Sequence, residues 1–368
     1  MKKLTIQTDI ETLLIDAASE YLYLDSINAG HNGPYLDNET PVRNTAHWLI
    51  IFTCLFERTK ENKYQVAALN AIKYLKSDRA RPMSASFFCR FKKEKDFCNG
   101  LMGQAWVIEA LIYADKVFIN EGLYKLAEDV FLLHDFDNSR SVWHRTGVDG
   151  SRLDFDVTFN HQLWFAAVGS QLKDSPNILN MCDDFFLKIA VKPNLYRNGV
   201  LFHNTSIYQS KIEIRKGMSA AINYVVQKIF SIKNKKSLYL KSAGYHGFNL
   251  YAYELLKERY GDRPFYKSNT FQRMIKVIST KEFQNDLINS PYSYGYNPPG
   301  FELGFSLFNN GSNEKDIAKL LTKHFSITKK GRRFNSAVAE DFNTSEARLY
   351  ELIRLLELKN IKFYINEN

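Results

Sequence analysis

Apolar residues recur along this chain at helical spacing. Leu13, Leu14, Ala17, Ala18 and Tyr21 fall on one face of a helix predicted over residues 8–24. Further helical segments come in pairs joined by short polar links. Residues 45–59 connect through Lys60-Glu61-Asn62 to 63–76, and 99–118 lead into 121–133. Residues 156–172 lead into 175–190, with Pro176 near a first turn, where proline is tolerated. Residues 245–260 pass through Gly261-Asp262-Arg263-Pro264 to 265–279, and 301–309 pass through Asn310-Gly311-Ser312-Asn313 to 314–325. A last helix is predicted over 344–358. These are short-loop helical hairpins. The first member of each is the more apolar, as in Trp48-Leu49-Ile50-Ile51-Phe52, and the second is amphipathic, as in Lys63-Tyr64-Gln65-Val66-Ala67-Ala68. That alternation predicts an inner ring of first helices inside an outer ring of second helices, closed by the first and last helices of the chain. One interval breaks the rhythm. Residues 192–216 read as an irregular insertion with extended chain around Asn198-Gly199, followed by a helical stretch over 218–232. The pattern predicts one all-α domain over 1–368, with a structural repeat and no fixed sequence period.

Composition narrows the class. Hydrophobic content of 45% with 24% charged residues is that of a soluble globular chain. The aromatic fraction is 14%, with 21 Tyr and 27 Phe, and tyrosines in loops offer flat faces to a ligand. The net charge of +9 favours acidic partners, although the basic residues are scattered. The densest runs are Arg90-Phe91-Lys92-Lys93, Lys233-Asn234-Lys235-Lys236 and Lys329-Lys330-Gly331-Arg332-Arg333. No nucleic-acid module is present, so no nucleic-acid partner is expected. Cys54, Cys89, Cys98 and Cys182 form no CxxC pair and no zinc spacing, which implies free thiols in a reducing compartment and no metal. The start Met1-Lys2-Lys3-Leu4-Thr5 lacks an apolar signal region, and no run approaches the roughly 18 to 20 apolar residues of a membrane span. A cytoplasmic location is expected. No GxGxxG after a strand, P-loop or HExxH occurs, so no cofactor is expected.

Three stretches carry a resemblance: Asn99-Gly100-Leu101-Met102-Gly103-Gln104-Ala105-Trp106, Phe159-Asn160-His161-Gln162-Leu163-Trp164, and Asp341-Phe342-Asn343-Thr344-Ser345-Glu346-Ala347-Arg348. With the paired helices around them, they resemble the inner helices of the (α/α)6 six-hairpin toroids of carbohydrate-active enzymes. That superfamily includes N-acylglucosamine 2-epimerase-like proteins, unsaturated glucuronyl hydrolases, polysaccharide lyases and the helical domain of glucuronyl C5-epimerases. The resemblance implies a site in the funnel at the inner-helix N-termini and a saccharide or uronic acid ligand. With the basic balance and the His/Arg/Asp run described below, it points to an enzyme acting on an acidic, uronic-acid-containing glycan or its precursor. It also implies a role in bacterial surface-polysaccharide metabolism, with peripheral association to membrane-bound glycan machinery.

Candidate chemistry concentrates in one run, from Trp143-His144-Arg145 through Asp149, Arg152, Asp154 and Asp156 to Asn160-His161-Gln162 and Trp164. The other loops that converge on the funnel add His47, Asn99, Gln104, Tyr245, His246, Asn249, Tyr294, Tyr296, Glu302 and Arg348. Asp154, Asp156, His161, His246 and Glu302 are the candidate acids and bases. The remaining residues, with Arg145, Arg152, Asn160 and Trp164, are candidate ligand contacts. Competing structural readings exist: Asp156 as a helix cap, His161 as a hydrogen-bonded core histidine, Glu302 as a first-turn acid on a helix dipole. Glycoside hydrolysis would pair Asp154 or Asp156 with Glu302 across a scissile bond. Lyase or epimerase chemistry on a uronic acid would use His161, His246 or Tyr245 as base, with Arg145 or Arg152 on the carboxylate. Epimerisation of a neutral sugar would set His161 against His246. A toroid that binds a glycan or a protein without catalysis uses the same residue types.

Overall fold

The computed structural model describes residues 4–92, 94–203, 235–329, 341–358 and 361–367. The helix predicted over 218–232, most of the 192–216 insertion and much of the basic runs near 233 and 330 lie outside them.

The chain opens with β1 (Leu4–Thr8) and α1 (Ile10–Ala18), then runs through a long loop to α2 (Val42–Thr59) and α3 (Asn62–Leu75). α4 (Gly100–Asp115) and α5 (Leu123–Leu132) follow. A small antiparallel sheet comes next: β2 (Phe136–Asp137), β3 (Val142–Thr146) and β4 (Arg152–Phe155). Then come α6 (Phe159–Gly169) and α7 (Pro176–Phe185), α8 (Lys235–Gly244) and α9 (His246–Tyr260). α10 (Pro264–Lys267), α11 (Asn269–Lys276) and α12 (Lys281–Asn289) precede α13 (Pro299–Asn309) and α14 (Glu314–Thr328). α15 (Phe342–Ala347) continues as a 3-10 segment, Arg348–Leu355, and β5 (Phe363–Glu367) ends the described chain.

The inner ring is legible in burial. In α2 every residue from Val42 to Leu55 is buried, and in α4 every residue from Gly100 to Ile112. A helix that is apolar nearly all round must be covered on all sides. α2 packs on α4, α4 on α6, α6 on α9, α9 on α13, α13 on the closing 3-10 segment, and that segment back on α2. The ring therefore closes. α3, α5, α7 and α14 cover α2, α4, α6 and α13 from outside. α1 packs against α2 and the closing segment, as the unpaired terminal helices predict. The termini are further joined by an unanticipated ladder, in which β1 and β5 pair antiparallel from Leu4↔Glu367 to Thr8↔Phe363.

Other elements also depart from the sequence reading, among them α8, which no predicted helix covers. The helix predicted over 265–279 breaks at Ser268, whose extended backbone and side chain cap a new helix through Phe271 N. Helix α12 was not anticipated. The helix predicted from 156 begins at Phe159, and the chain before it forms the β3–β4 hairpin, with Thr146 paired to Arg152. β-branched and aromatic residues there (Val142, Trp143, Thr146, Phe155) suit a strand better than a loop. Among the described residues no helix is long and apolar enough to cross a membrane.

Candidate functional site

The mouth of the ring holds a cavity of about 210 Å³. One wall comes from the first turns of α4 and α6, and the strongest geometry lies there. α4 begins in an unusual way: Asn99 and Gly100 both have positive φ (56° and 59°), and Asn99 does not cap its own helix. The orphan amides are met from outside. Asp96 Oδ1 accepts Gly100 N at 2.8 Å, and Asp156 Oδ2 accepts Leu101 N at 3.1 Å. Two carboxylates at a helix N-terminus also suit its dipole. The same Asp156 oxygen lies 2.8 Å from His161 Nδ1, and its other oxygen accepts Thr158 N. Burial would raise the Asp156 pKa. The His161 charge and hydrogen bond, with the two amides, outweigh that and hold the carboxyl at about 2.

His161 sits in the first turn of an otherwise buried helix and keeps part of its side chain open to the cavity. Asp156 occupies Nδ1, so Nε2 is the ring nitrogen left for a ligand. Gln162, next along the helix, faces the other way and clips the hairpin down through Trp143 N, Trp143 O and Asp156 O. The hairpin thereby fixes Asp156, and Asp156 fixes His161.

Opposite stands His203, whose ring stacks on Tyr245 at 4.1 Å between centroids. Its Nδ1 is buried without a hydrogen-bond partner among the described residues. Burial, then the charges of Lys241 and His161, push its pKa well down, so it is neutral. His161 and His203 line the same cavity. The Tyr245 and Tyr35 hydroxyls meet at 2.7 Å, and the Tyr296 hydroxyl donates to Asn32 at 2.6 Å. Asn32, Tyr35 and Asp37 come from the loop between α1 and α2, which crosses the mouth. Asp341 holds that loop by accepting His31 N and Gly33 N. Asp37 is fully buried and meets Arg90, Lys92 and Lys95. Phe248 lies below, stacked on Trp164.

Of the sequence candidates, Asn99, Asn160, His161, Tyr245 and Tyr296 line the cavity. Asp156 stands behind His161. The remaining candidates were expected in the same concavity, and the structure places them elsewhere. His246 is fully buried with both ring nitrogens engaged: Nδ1 accepts Leu201 N and Nε2 donates to Met274 O. Glu302 is fully buried, paired with Arg348 at 2.7 Å, and Arg348 also binds Glu351 at 2.6 Å. Burial, then the Glu351 charge, raises the Glu302 pKa well above the usual range. Asp154 lies exposed on β4. Arg145 pairs with Asp96, and Arg152 with Asp135 and His144, so neither arginine lines the cavity. Gln104 clamps Phe87 and Cys98 backbone groups. Trp164 donates to Phe248 O, and Asn249 is buried beside it on α9. His47 is buried against Tyr350 and Trp106, and Tyr294 packs on His324 outside the cavity. Sequence reasoning missed Asn32, Tyr35, Asp37, Lys95, His203 and Lys241. A usable signal existed for the first three, because a long structureless loop carrying His31-Asn32-Gly33-Pro34-Tyr35 is commonly functional.

Solved structures share this architecture. D-mannose isomerase superposes with a TM-score of 0.60 at 12% identity, over 95% of this chain and 97% of that one. Cellobiose 2-epimerase from Bacillus thermoamylovorans gives 0.58 at 10%, over 95% and 99%. A GH76 α-mannanase of Bacteroides thetaiotaomicron gives 0.56 at 11%, over 96% and 97%. The chain is an (α/α)6 toroid. No protein-family model matches it. Its sequence is 35% identical over 369 residues to archaeal glycosylation protein Q of Haloferax volcanii, covering 95% of this chain and 98% of that protein. The chain belongs to the family of archaeal glycosylation protein Q.

Proposed function

We propose that this protein is a carbohydrate-active enzyme of glycan assembly that isomerises or epimerises a saccharide by proton transfer, with His161 and His203 as the acid–base pair. The observation that carries the reading is the pair itself: two imidazoles on one cavity in unlike environments. Asp156 fixes the tautomer and ring of His161, leaving Nε2 as the working atom. His203 is held neutral, the form a base must have, although burial and the Lys241 charge oppose its protonation. On an open-chain sugar, one imidazole removes the proton beside the carbonyl while the other protonates the carbonyl oxygen, giving an enediol. Return of the proton to the opposite face gives the epimer, and return to the neighbouring carbon gives the ketose. The tyrosines and Asn160 supply stacking faces and hydrogen bonds.

Hydrolysis is supported less well. It needs two carboxyl groups facing a scissile bond. Asp156 is spent on two amides and His161, Asp37 is matched by three cations, and Glu302 lies outside the cavity. The glycosylation relative and the sugar-active structural neighbours agree with a saccharide. The test is incubation of aldoses and disaccharides in deuterium oxide with detection by NMR. Deuterium at the carbon beside the carbonyl is expected, and His161→Asn and His203→Asn should each slow it by about 10²- to 10⁴-fold. New reducing ends without exchange would mean a hydrolase, and an ultraviolet-absorbing product a lyase. Saccharide binding without any turnover would mean a glycan-binding toroid.

A further inference from the structure

Among the described residues, the cations around the cavity are matched with one exception. Arg90 meets Asp37 and Asp96, Lys92 and Lys95 meet Asp37, Arg145 meets Asp96, and Arg43 meets Glu39. Lys241, in the last turn of α8, has no carboxylate partner among the described residues. Its ammonium instead lies 5.3 Å from the Tyr35 ring, 6.0 Å from Tyr245 and 5.1 Å from Tyr292. A lysine that only complements a helix C-terminus would reach into water. This one turns its charge into a lined cavity, where it is partly desolvated. The ring faces offset part of that cost. Lys95, also over the Tyr35 ring, adds repulsion. A part-buried cation between aromatic faces and a second cation is a receptor for an anion.

We propose that the saccharide taken by this cavity carries an acidic group, a carboxylate or a phosphate, and that Lys241 receives it. Tyr35 and Tyr245 bridge the lysine to His203, so an acidic group at Lys241 would place the sugar ring over the tyrosines and in reach of the imidazoles. This rests on the reading of the cavity as a saccharide site and adds the class of saccharide.

The experiment is calorimetric titration of the full chain with glucuronate, glucose 1-phosphate and glucose, using wild type, Lys241→Met and Lys241→Arg. Methionine keeps the stem against the rings and removes the charge. Wild type should bind at least one acidic probe about tenfold or more tighter than glucose, with the margin shrinking as salt rises. K241M should lose that margin and keep its glucose affinity, while K241R should retain most of the margin. The two acidic probes separate a ring carboxylate from an anomeric phosphate. Equal binding of acidic and neutral probes, an equal loss of all three in K241M, or no binding of either acidic probe would overturn the inference. Loss of deuterium exchange in His161→Asn with unchanged K241M binding would sink this inference alone. Acid-selective binding in a protein that exchanges no proton would sink only the proposed reaction.

Discussion

Replacing Asp156 with Asn tests the centre of the site. The carboxylate accepts from Leu101 N at 3.1 Å, Thr158 N at 3.2 Å and His161 Nδ1 at 2.8 Å. Asn keeps the shape but offers one acceptor oxygen and an amide NH2, so either Thr158 N or the pair Leu101 N and His161 Nδ1 meets an NH2 in place of a carboxylate oxygen. Linkage gives the size. The group is buried, and its pKa falls from 3.8 in the unfolded chain to about 2 in the fold. That difference corresponds to about 2.4 kcal/mol of stability at neutral pH. A depressed acid contributes fully above its unfolded pKa and loses its contribution as pH drops through the folded value. Asp156→Asn should therefore cost about 2 kcal/mol in urea unfolding at pH 7, and the gap to wild type should shrink to about half by pH 3. Deuterium exchange should fall far more than stability, because His161 loses the group that fixes its tautomer. An unchanged urea midpoint, or a destabilisation that is constant with pH, would show that Asp156 does not hold α4 and His161 as a carboxylate.

The buried acid Glu302 should behave as a structural group: Glu302→Gln, which can still accept from Arg348, should leave exchange intact, while Arg348→Met, which strands Glu302 and Glu351, should cost about 3 to 5 kcal/mol in chemical denaturation. Loss of turnover in Glu302→Gln with normal folding would restore it as a catalytic candidate. His134 and His246 are held at about 4 and His324 at about 3 by burial, all below the unfolded value of 6.5. The unfolded chain then takes up protons first, so stability should be full above about pH 6.5 and fall as pH drops towards 4, by at most about 3 kcal/mol for each of the first two. A flat urea midpoint across that window would refute it. Finally, a Cβ on Gly100 would overlap Asp156 Oδ2, and Gly100 has φ of +59°, so Gly100→Ala should reproduce the exchange defect of Asp156→Asn without touching a titratable group.

The ring was legible because its cause is local. Trp48 to Phe52 and Leu163 to Val168 are apolar on every side, which is the mark of a helix covered all round, and their partners Lys63 to Ala68 are amphipathic. Short polar links between such pairs leave little choice but hairpins. The failures were also local conflicts that periodicity does not resolve. Ser268 stops a helix because its side chain caps the next one, yet an isolated serine inside an apolar pattern gives little warning. The 142–155 hairpin was taken for loop because its polar residues crowd out the alternation of a strand. Its register shift between His144 and Thr146 blurs the alternation further.

The site was legible in residue type and only partly in place, and the two histidines explain why. His161 and His246 look alike in sequence, since each opens an apolar inner helix. Their fates depend on partners far along the chain. His246 accepts from Leu201 and donates to Met274, so neither ring nitrogen is left for chemistry. His161 spends one nitrogen on Asp156 and keeps the other towards the cavity. His203 was passed over because it follows an irregular stretch, and only the fold sets it against Tyr245. Lys241 is hidden for a similar reason: in sequence it is one lysine among many, and the fold shows that its neighbours are rings where Lys92 and Lys95 at the same cavity have a carboxylate. Residue type marks what a side chain can do. Whether it is free to do so is decided by how many of its polar atoms the fold has already used. Among the described residues that line the cavity, that count leaves His161, His203, Asn160 and Lys241 with capacity to meet a ligand, while His246 has both ring nitrogens engaged and Glu302 and Arg348 pair with each other outside it.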